Sequence, residues 1–109
     1  MSYQKSRPVR SKELRDSARG QSCTLRLFGC DGGGETTVLA HLPFGSAGMG
    51  GKASDLHAIF CCASCHDLLD GRRRDDESYE SIMSACVRAH AETMQVWASE
   101  GLITVRGAA

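Results

Sequence analysis

Cys61-Cys62-Ala63-Ser64-Cys65-His66-Asp67-Leu68-Leu69-Asp70 carries more chemical information than any other segment of this chain. Cys62 and Cys65 form a C-x-x-C, a spacing that lets two thiolates from one tight turn grip one metal ion. His66 follows at once, and Asp70 sits four residues later. On a helix such positions share a face, so the imidazole and the carboxylate can converge on a second ion. C-x-x-C also occurs in thioredoxin-like redox sites, but those stand near a βαβ pattern that is not found here.

Working outward, a second pair, Cys23 and Cys30, lies upstream with six residues between its members. Two pairs of cysteines without a secretory signal read as a four-thiolate zinc site rather than as disulfides. The remaining cysteines read differently. Cys61, adjacent to the motif, is expected to be a small buried hydrophobe. Cys86 could pair with His90 on one helical face, but a lone cysteine on an apolar stripe more often packs.

The chain has 109 residues, only six aromatics and twelve glycines, so its apolar core must be thin. One domain of this size commonly needs a staple, and bound zinc supplies folding free energy directly. The formal charge sums to zero but is unevenly placed. Residues 1–30 carry seven Lys/Arg against Glu13 and Asp16, whereas residues 55–100 carry nine Asp/Glu against four arginines. A basic end can supply phosphate contacts on a neutral protein, or it can be a solvated tail. No apolar run approaches the ~18 residues of a membrane span, and no signal-peptide pattern is present, so the expectation is a soluble, cytoplasmic protein.

Residues 1–10 read as a flexible basic arm, and residues 11–109 as a single zinc-bound domain. Ser11 is placed to cap a short helix over 12–18, with Gly20 as its stop. The segment 23–30 reads as β-type, followed by a turn through Asp31-Gly32-Gly33-Gly34 that glycine backbone can follow. Residues 36–42 read as a strand ending at His41. The glycine-rich stretch 44–52 falls short of a P-loop, because Ser46 stands where the first glycine is required and Ala53 follows Lys52. Arg72-Arg73-Arg74 could meet phosphate or form a solvated turn neutralised by Asp75, Asp76 and Glu77. The longest helix is expected from Glu77 or Ser78 to Glu100. Its inward positions would be Tyr79, Ile82, Met83, Cys86, Ala89, Thr93, Val96 and Trp97, with His90 at the edge. A last strand is expected over 102–105.

The order Cys23-x6-Cys30, His41, Asp55-Leu56, Cys62-x2-Cys65-His66 resembles the HNH, or ββα-metal, endonucleases. More closely, residues 36–41 followed by 62–70 resemble the YbcO family of small prophage nucleases. The resemblance implies an α+β fold: a small zinc-stabilised ββα-metal core with a short N-terminal helix and a long C-terminal helix. It implies a structural zinc on Cys23, Cys30, Cys62 and Cys65. It gives His41 the role of activating water and Asp55 that of the motif's middle Asn, fixing the loop that orients the histidine. His66 would bind the catalytic Mg²⁺ or Mn²⁺, with Asp70 as a further ligand one turn on. Many HNH enzymes carry an acidic or histidine ligand just before the base; here that residue is Ala40.

The function so implied is metal-dependent hydrolysis of DNA by a phage or prophage endonuclease. A neutral histidine suits the acceptance of a water proton, and a loosely held divalent ion stays open to phosphate oxygens. The alternative is a non-catalytic zinc-finger module that binds DNA or protein, which Ala40 favours. A purely structural zinc subunit is the third reading.

Overall fold

Residues 58–61, Ala-Ile-Phe-Cys, sit at the centre of the molecule. In an extended segment successive side chains point to opposite faces, so an unbroken apolar run demands cover on both sides. The computed structural model, which describes residues 8–43, 53–74 and 76–108, shows that cover. Strand β1 (Val38–His41) pairs antiparallel with β2 (Ala58–Cys61), with Val38 opposite Cys61 and His41 opposite Ala58. All four β2 residues are buried. Ile59 and Cys61 enter one apolar cluster with Leu25, Leu27, Leu68, Ala85 and Ala89. Phe60 points the other way, into a second cluster with Leu14, Ala18 and Trp97.

Three helices complete this small α+β fold: α1 (Lys12–Asp16), α2 (Ala63–Leu69) and α3 (Tyr79–Ser99). Ser11 caps α1 as its position requires, its Oγ accepting the Leu14 amide at 3.2 Å. The helix is shorter than expected and passes into turns over 17–20. Ser78 caps α3 by accepting the Ser81 amide at 3.1 Å, and Gly101, at φ 74, ends it.

α3 packs along β2. Its Thr93 Oγ1 accepts the Phe60 amide at 3.3 Å and donates to Ala89 O at 2.9 Å, so a buried hydroxyl ties helix to strand. Trp97 meets Phe60 edge to face, with ring centroids 6.2 Å apart, and its Nε1–H donates to Ser17 Oγ at 2.8 Å. That aromatic pair is the largest single investment in the core; truncating Trp97 to Ala would cost roughly 3–5 kcal/mol.

Several expectations are corrected by the structure. Residues 23–30 form a loop, not a β-type segment. Arg26 adopts φ 51, which no strand tolerates, and Thr24 reaches β2 only through its own amide and hydroxyl, both to Phe60 O. The expected strand at 36–42 is confined to Val38–His41, because Thr36 and Thr37 direct their hydroxyls to Asp31 and to Gln21 O instead. Residues 102–105 form no strand either. The Leu102 and Ile103 amides turn back to Trp97 O, closing the end of α3.

On α3, Cys86, Ala89, Thr93 and Trp97 are buried as expected, and Ala85 joins them. Ile82, Met83 and Val96 are half-buried, and Tyr79 is 62 % exposed in the first turn, beyond the reach of β2. Residues 1–7 of the basic arm, the glycine-rich stretch 44–52 and Asp75 lie outside the described residues.

Candidate active site and metal centre

The 23–30 loop and the start of α2 bring four thiols together. The sulfur atoms of Cys23, Cys30, Cys62 and Cys65 all lie within 4.8 Å of one another. A tetrahedral ion with metal–sulfur bonds of about 2.3 Å holds its sulfurs about 3.8 Å apart. The Cys30–Cys62 separation is 3.8 Å. Local backbone explains how each sulfur is aimed. Cys62 is the N-cap of α2, its Sγ accepting the Cys65 amide at 3.4 Å, and Cys30 Sγ accepts the Gly32 amide at 3.3 Å. The turn behind Cys30 depends on Gly33 at φ 82, where a Cβ would lie 2.6 Å from the Cys23 amide nitrogen.

The electrostatics of the cluster favour a cation. A hydrogen bond from the Cys61 thiol holds Cys23 down to about 4, while that bond and burial push Cys61 up. Burial raises Cys65 and Cys30, with the negative Cys23 adding to both. Thiolates gathered this closely repel one another, and a divalent ion is what neutralises them together. The donor set therefore fits zinc. Cys61, expected to act as a small hydrophobe, is buried as such but also supplies a thiol to Cys23. Cys86 packs in the core, and His90 Nε2 bonds Leu56 O at 2.7 Å.

The loop that carries Cys23 and Cys30 is clamped from outside. Arg26 forms a two-pronged pair with Glu92 of α3, at 2.8 and 2.7 Å, and Arg88 donates to Thr24 O and Leu25 O. Arg73 donates to Phe28 O at 2.8 Å and to Ser64 O at 3.3 Å, bridging the loop to α2. Arg72 lies on Asp67 and Asp70. Two members of the 72–74 arginine cluster are thus engaged within the protein.

At the other end of β1, His41 Nε2 lies 2.8 Å from Asp55 Oδ1. Asp55 has no solvent exposure, and its second oxygen accepts the Ser11 amide at 2.7 Å. Burial works against ionisation of Asp55, yet the Ser11 amide and His41 hold it below the ordinary carboxylate range. An ionised carboxylate can only accept, so His41 donates Nε2–H to it, and in the neutral ring Nδ1 is the acceptor. The His41 side chain is 33 % exposed, so part of the ring meets solvent. Arg15 Nε stands 4.0 Å from Asp55 Oδ2. Sequence reasoning misses this arginine, whose one signal is a helical position one turn beyond the Ser11 cap.

His66 and Asp70 do meet across one turn of α2, Nε2 to Oδ2 at 3.1 Å. Asp70 also accepts from Arg72 at 2.8 Å. Among the described residues the four cysteines are the one group of three or more metal-capable side chains, so neither His41 nor His66 belongs to such a cluster. Ala40, just before His41, is buried in the core.

A model of the family described as "Putative nuclease YbcO" matches residues 12–102. The chain is 39% identical over 94 residues to "Putative nuclease YbcO" of Escherichia coli (strain K12), an alignment covering 84% of this chain and 96% of that protein. The same figures hold for "Putative nuclease ybcO" of Enterobacteria phage 82. A solved structure described as a putative bacteriophage protein from Escherichia coli K-12 superposes with a TM-score of 0.68 at 34% identity. The match covers 82% of this chain and 100% of that one. Among the described residues no helix is long and apolar enough to cross a membrane.

Proposed function

This chain belongs to the YbcO family, and from that premise we propose that it is a DNA endonuclease of phage or prophage type, hydrolysing phosphodiesters by HNH-type chemistry. The observation that carries this reading is the His41–Asp55 pair: a half-exposed imidazole at a strand end, gripped by a buried carboxylate. His41 Nδ1 takes a proton from water, and the resulting hydroxide attacks phosphorus as the bond to the leaving oxygen breaks. Asp55 is a positioning residue. It selects the tautomer and stabilises the imidazolium that forms, while the Ser11 amide keeps the carboxylate from turning.

His66 and Asp70 would hold a Mg²⁺ or Mn²⁺ ion through one nitrogen and one oxygen. Such an ion, when bound, neutralises charge on the phosphate and the leaving oxygen. Arg72 would have to release Asp70 for that, and its exposed position allows it. Cys23, Cys30, Cys62 and Cys65 would hold zinc with no position left for substrate, so the zinc role is structural. The order β1, β2, α2, with His41 on a strand and His66 on the helix, supports this HNH-type reading.

The second reading, a non-catalytic zinc module that binds DNA or protein, draws on Ala40 and on the closed His66–Asp70–Arg72 contacts. Incubating the zinc-loaded protein with supercoiled plasmid and Mg²⁺ or Mn²⁺ separates the two. Nicking that disappears in His41→Ala supports the nuclease. No nicking by the parent with either ion, alongside retained DNA binding, would favour the module.

A further inference from the structure

Lys12, Arg15, Asp16 and Arg19 fall at i, i+3, i+4 and i+7, on one side of α1 and the turn that extends it. The opposite side carries Leu14 and Ala18, which are buried with Phe60 and Trp97. The charged side faces a groove whose other wall is Thr37, Val38 and Leu39. Thr37, Val38 and Leu39 lead into β1, whose last residue is His41; the link from the groove to the imidazole is Arg15, which stands 4.0 Å from the Asp55 that holds it.

The positive charge in this groove is only partly matched. One carboxylate, Asp16, serves both Lys12 at 2.6 Å and Arg19 at 3.8 Å. Arg15 approaches Asp55, the carboxylate that holds His41, through Nε alone. Three cations line the groove against one carboxylate, leaving two positive charges in excess. Lys12 and Arg19 are 78 % and 84 % exposed, so both can reach a ligand laid in the groove. The 72–74 cluster differs, because Arg72 and Arg73 are tied to Asp67, Asp70, Phe28 O and Ser64 O.

We propose that the α1–β1 groove holds the phosphodiester backbone of a DNA strand, with Arg15 and Arg19 on the phosphates that flank the one presented to His41. Lys12 meets a further phosphate at the groove's edge. A guanidinium fork matches phosphate oxygens in geometry as well as charge. Arg15 has a double position, on the groove wall and beside Asp55, so the strand it grips lies in register with the histidine. Asp16 weakens binding and tempers the groove for release. The inference rests on the hydrolytic reading of His41–Asp55 only for its placement; the binding itself can be measured without cleavage.

The test measures anisotropy of a short fluorescent DNA duplex, and of one of its strands, against increasing salt. Zinc content and far-UV circular dichroism are followed in parallel. Every cation withdrawn from a phosphate should lower the log–log salt slope by about 0.9. Lys12→Gln combined with Arg19→Gln should therefore flatten it by about two, with weaker binding at low salt. Asp16→Asn should act in the opposite sense and bind several-fold tighter.

An unchanged slope in the double variant, with zinc and fold intact, overturns the groove even if the parent cleaves DNA. A flattened slope with a parent that never cleaves keeps the groove and removes the hydrolytic reading. If the double variant fails to fold, Asp16→Asn decides: tighter binding supports the groove, and unchanged binding overturns it.

Discussion

The cysteine centre and the histidine sites lie on the same small scaffold and are built in opposite ways. Four sulfurs from two separate chain segments converge until every one is within 4.8 Å of the others. His41–Asp55 and His66–Asp70 instead form two separate pairs, each with one accessible imidazole. The thiol cluster is held from all sides, by amides at Cys30 and Cys62 and by Arg26, Arg73 and Arg88 on the surrounding loop. In each histidine pair the imidazole is held through Nε2 by its carboxylate. A centre that holds the fold together needs every coordination position filled by protein. A centre that turns over substrate needs positions left for water and phosphate. On the proposed reading the cysteines carry folding and the histidines chemistry, and the contrast can be broken at either end.

The largest effect should come from Cys62→Ser or Cys65→Ser. The parent should carry one zinc per chain, and either variant should lose the metal together with most of its folded population, because the binding of a structural metal contributes to folding free energy. Metal analysis and circular dichroism of the same sample decide it. A folded, zinc-free Cys65→Ser protein would show that the cluster is packing rather than a metal centre.

His41→Ala should do the reverse, with zinc content and fold intact. Cleavage should fall by roughly 10²–10⁴-fold, the usual range for a lost general base. Mn²⁺ in excess should not restore it, since no ion replaces a missing proton acceptor. His66→Ala should also abolish cleavage, but by weakening the divalent ion, so a Mn²⁺ titration should recover part of the activity. Equal responses of the two variants to Mn²⁺ would erase the distinction between base and ligand.

The same contrast governs what could be read from the chain. The cysteine centre was legible because its ligand spacing is local: C-x-x-C fits one helix cap, and Cys23-x6-Cys30 fits one loop. Its scaffolding was less so. Nothing in the 23–30 segment announces that Arg26 would take φ 51 in order to reach Glu92, so a β-type segment was expected where a loop stands. His41 and Asp55 were named through the resemblance, but the bond between them spans the 44–52 stretch and depends on how the chain returns. The Ser11 amide that completes it comes from 44 residues away, a separation at which no local pattern operates. At 102–105 the sequence reads as a strand, but the amides of Leu102 and Ile103 turn to Trp97 O. Propensity speaks for a backbone only while its hydrogen bonds remain uncommitted.

The smallest expected effect sharpens the comparison most, because it separates the zinc from the clamp around it. Glu92→Gln removes the charge that Arg26 and Arg88 share but touches no cysteine. All three side chains are substantially exposed, so solvent screening limits the loss to about 1 kcal/mol or less. The Arg26 bonds hold the Glu92 carboxyl below its ordinary value, against the opposing effect of burial. A group depressed in the folded state stabilises above its unfolded pKa and loses that contribution as pH falls through the folded value. The parent and Glu92→Gln should therefore differ in melting temperature at neutral pH and converge in acid, below the ordinary carboxylate range. Zinc stoichiometry at neutral pH should be the same in both. If Glu92→Gln instead sheds its zinc, the clamp is part of the metal centre, and the division between a self-sufficient thiol cluster and its surroundings fails.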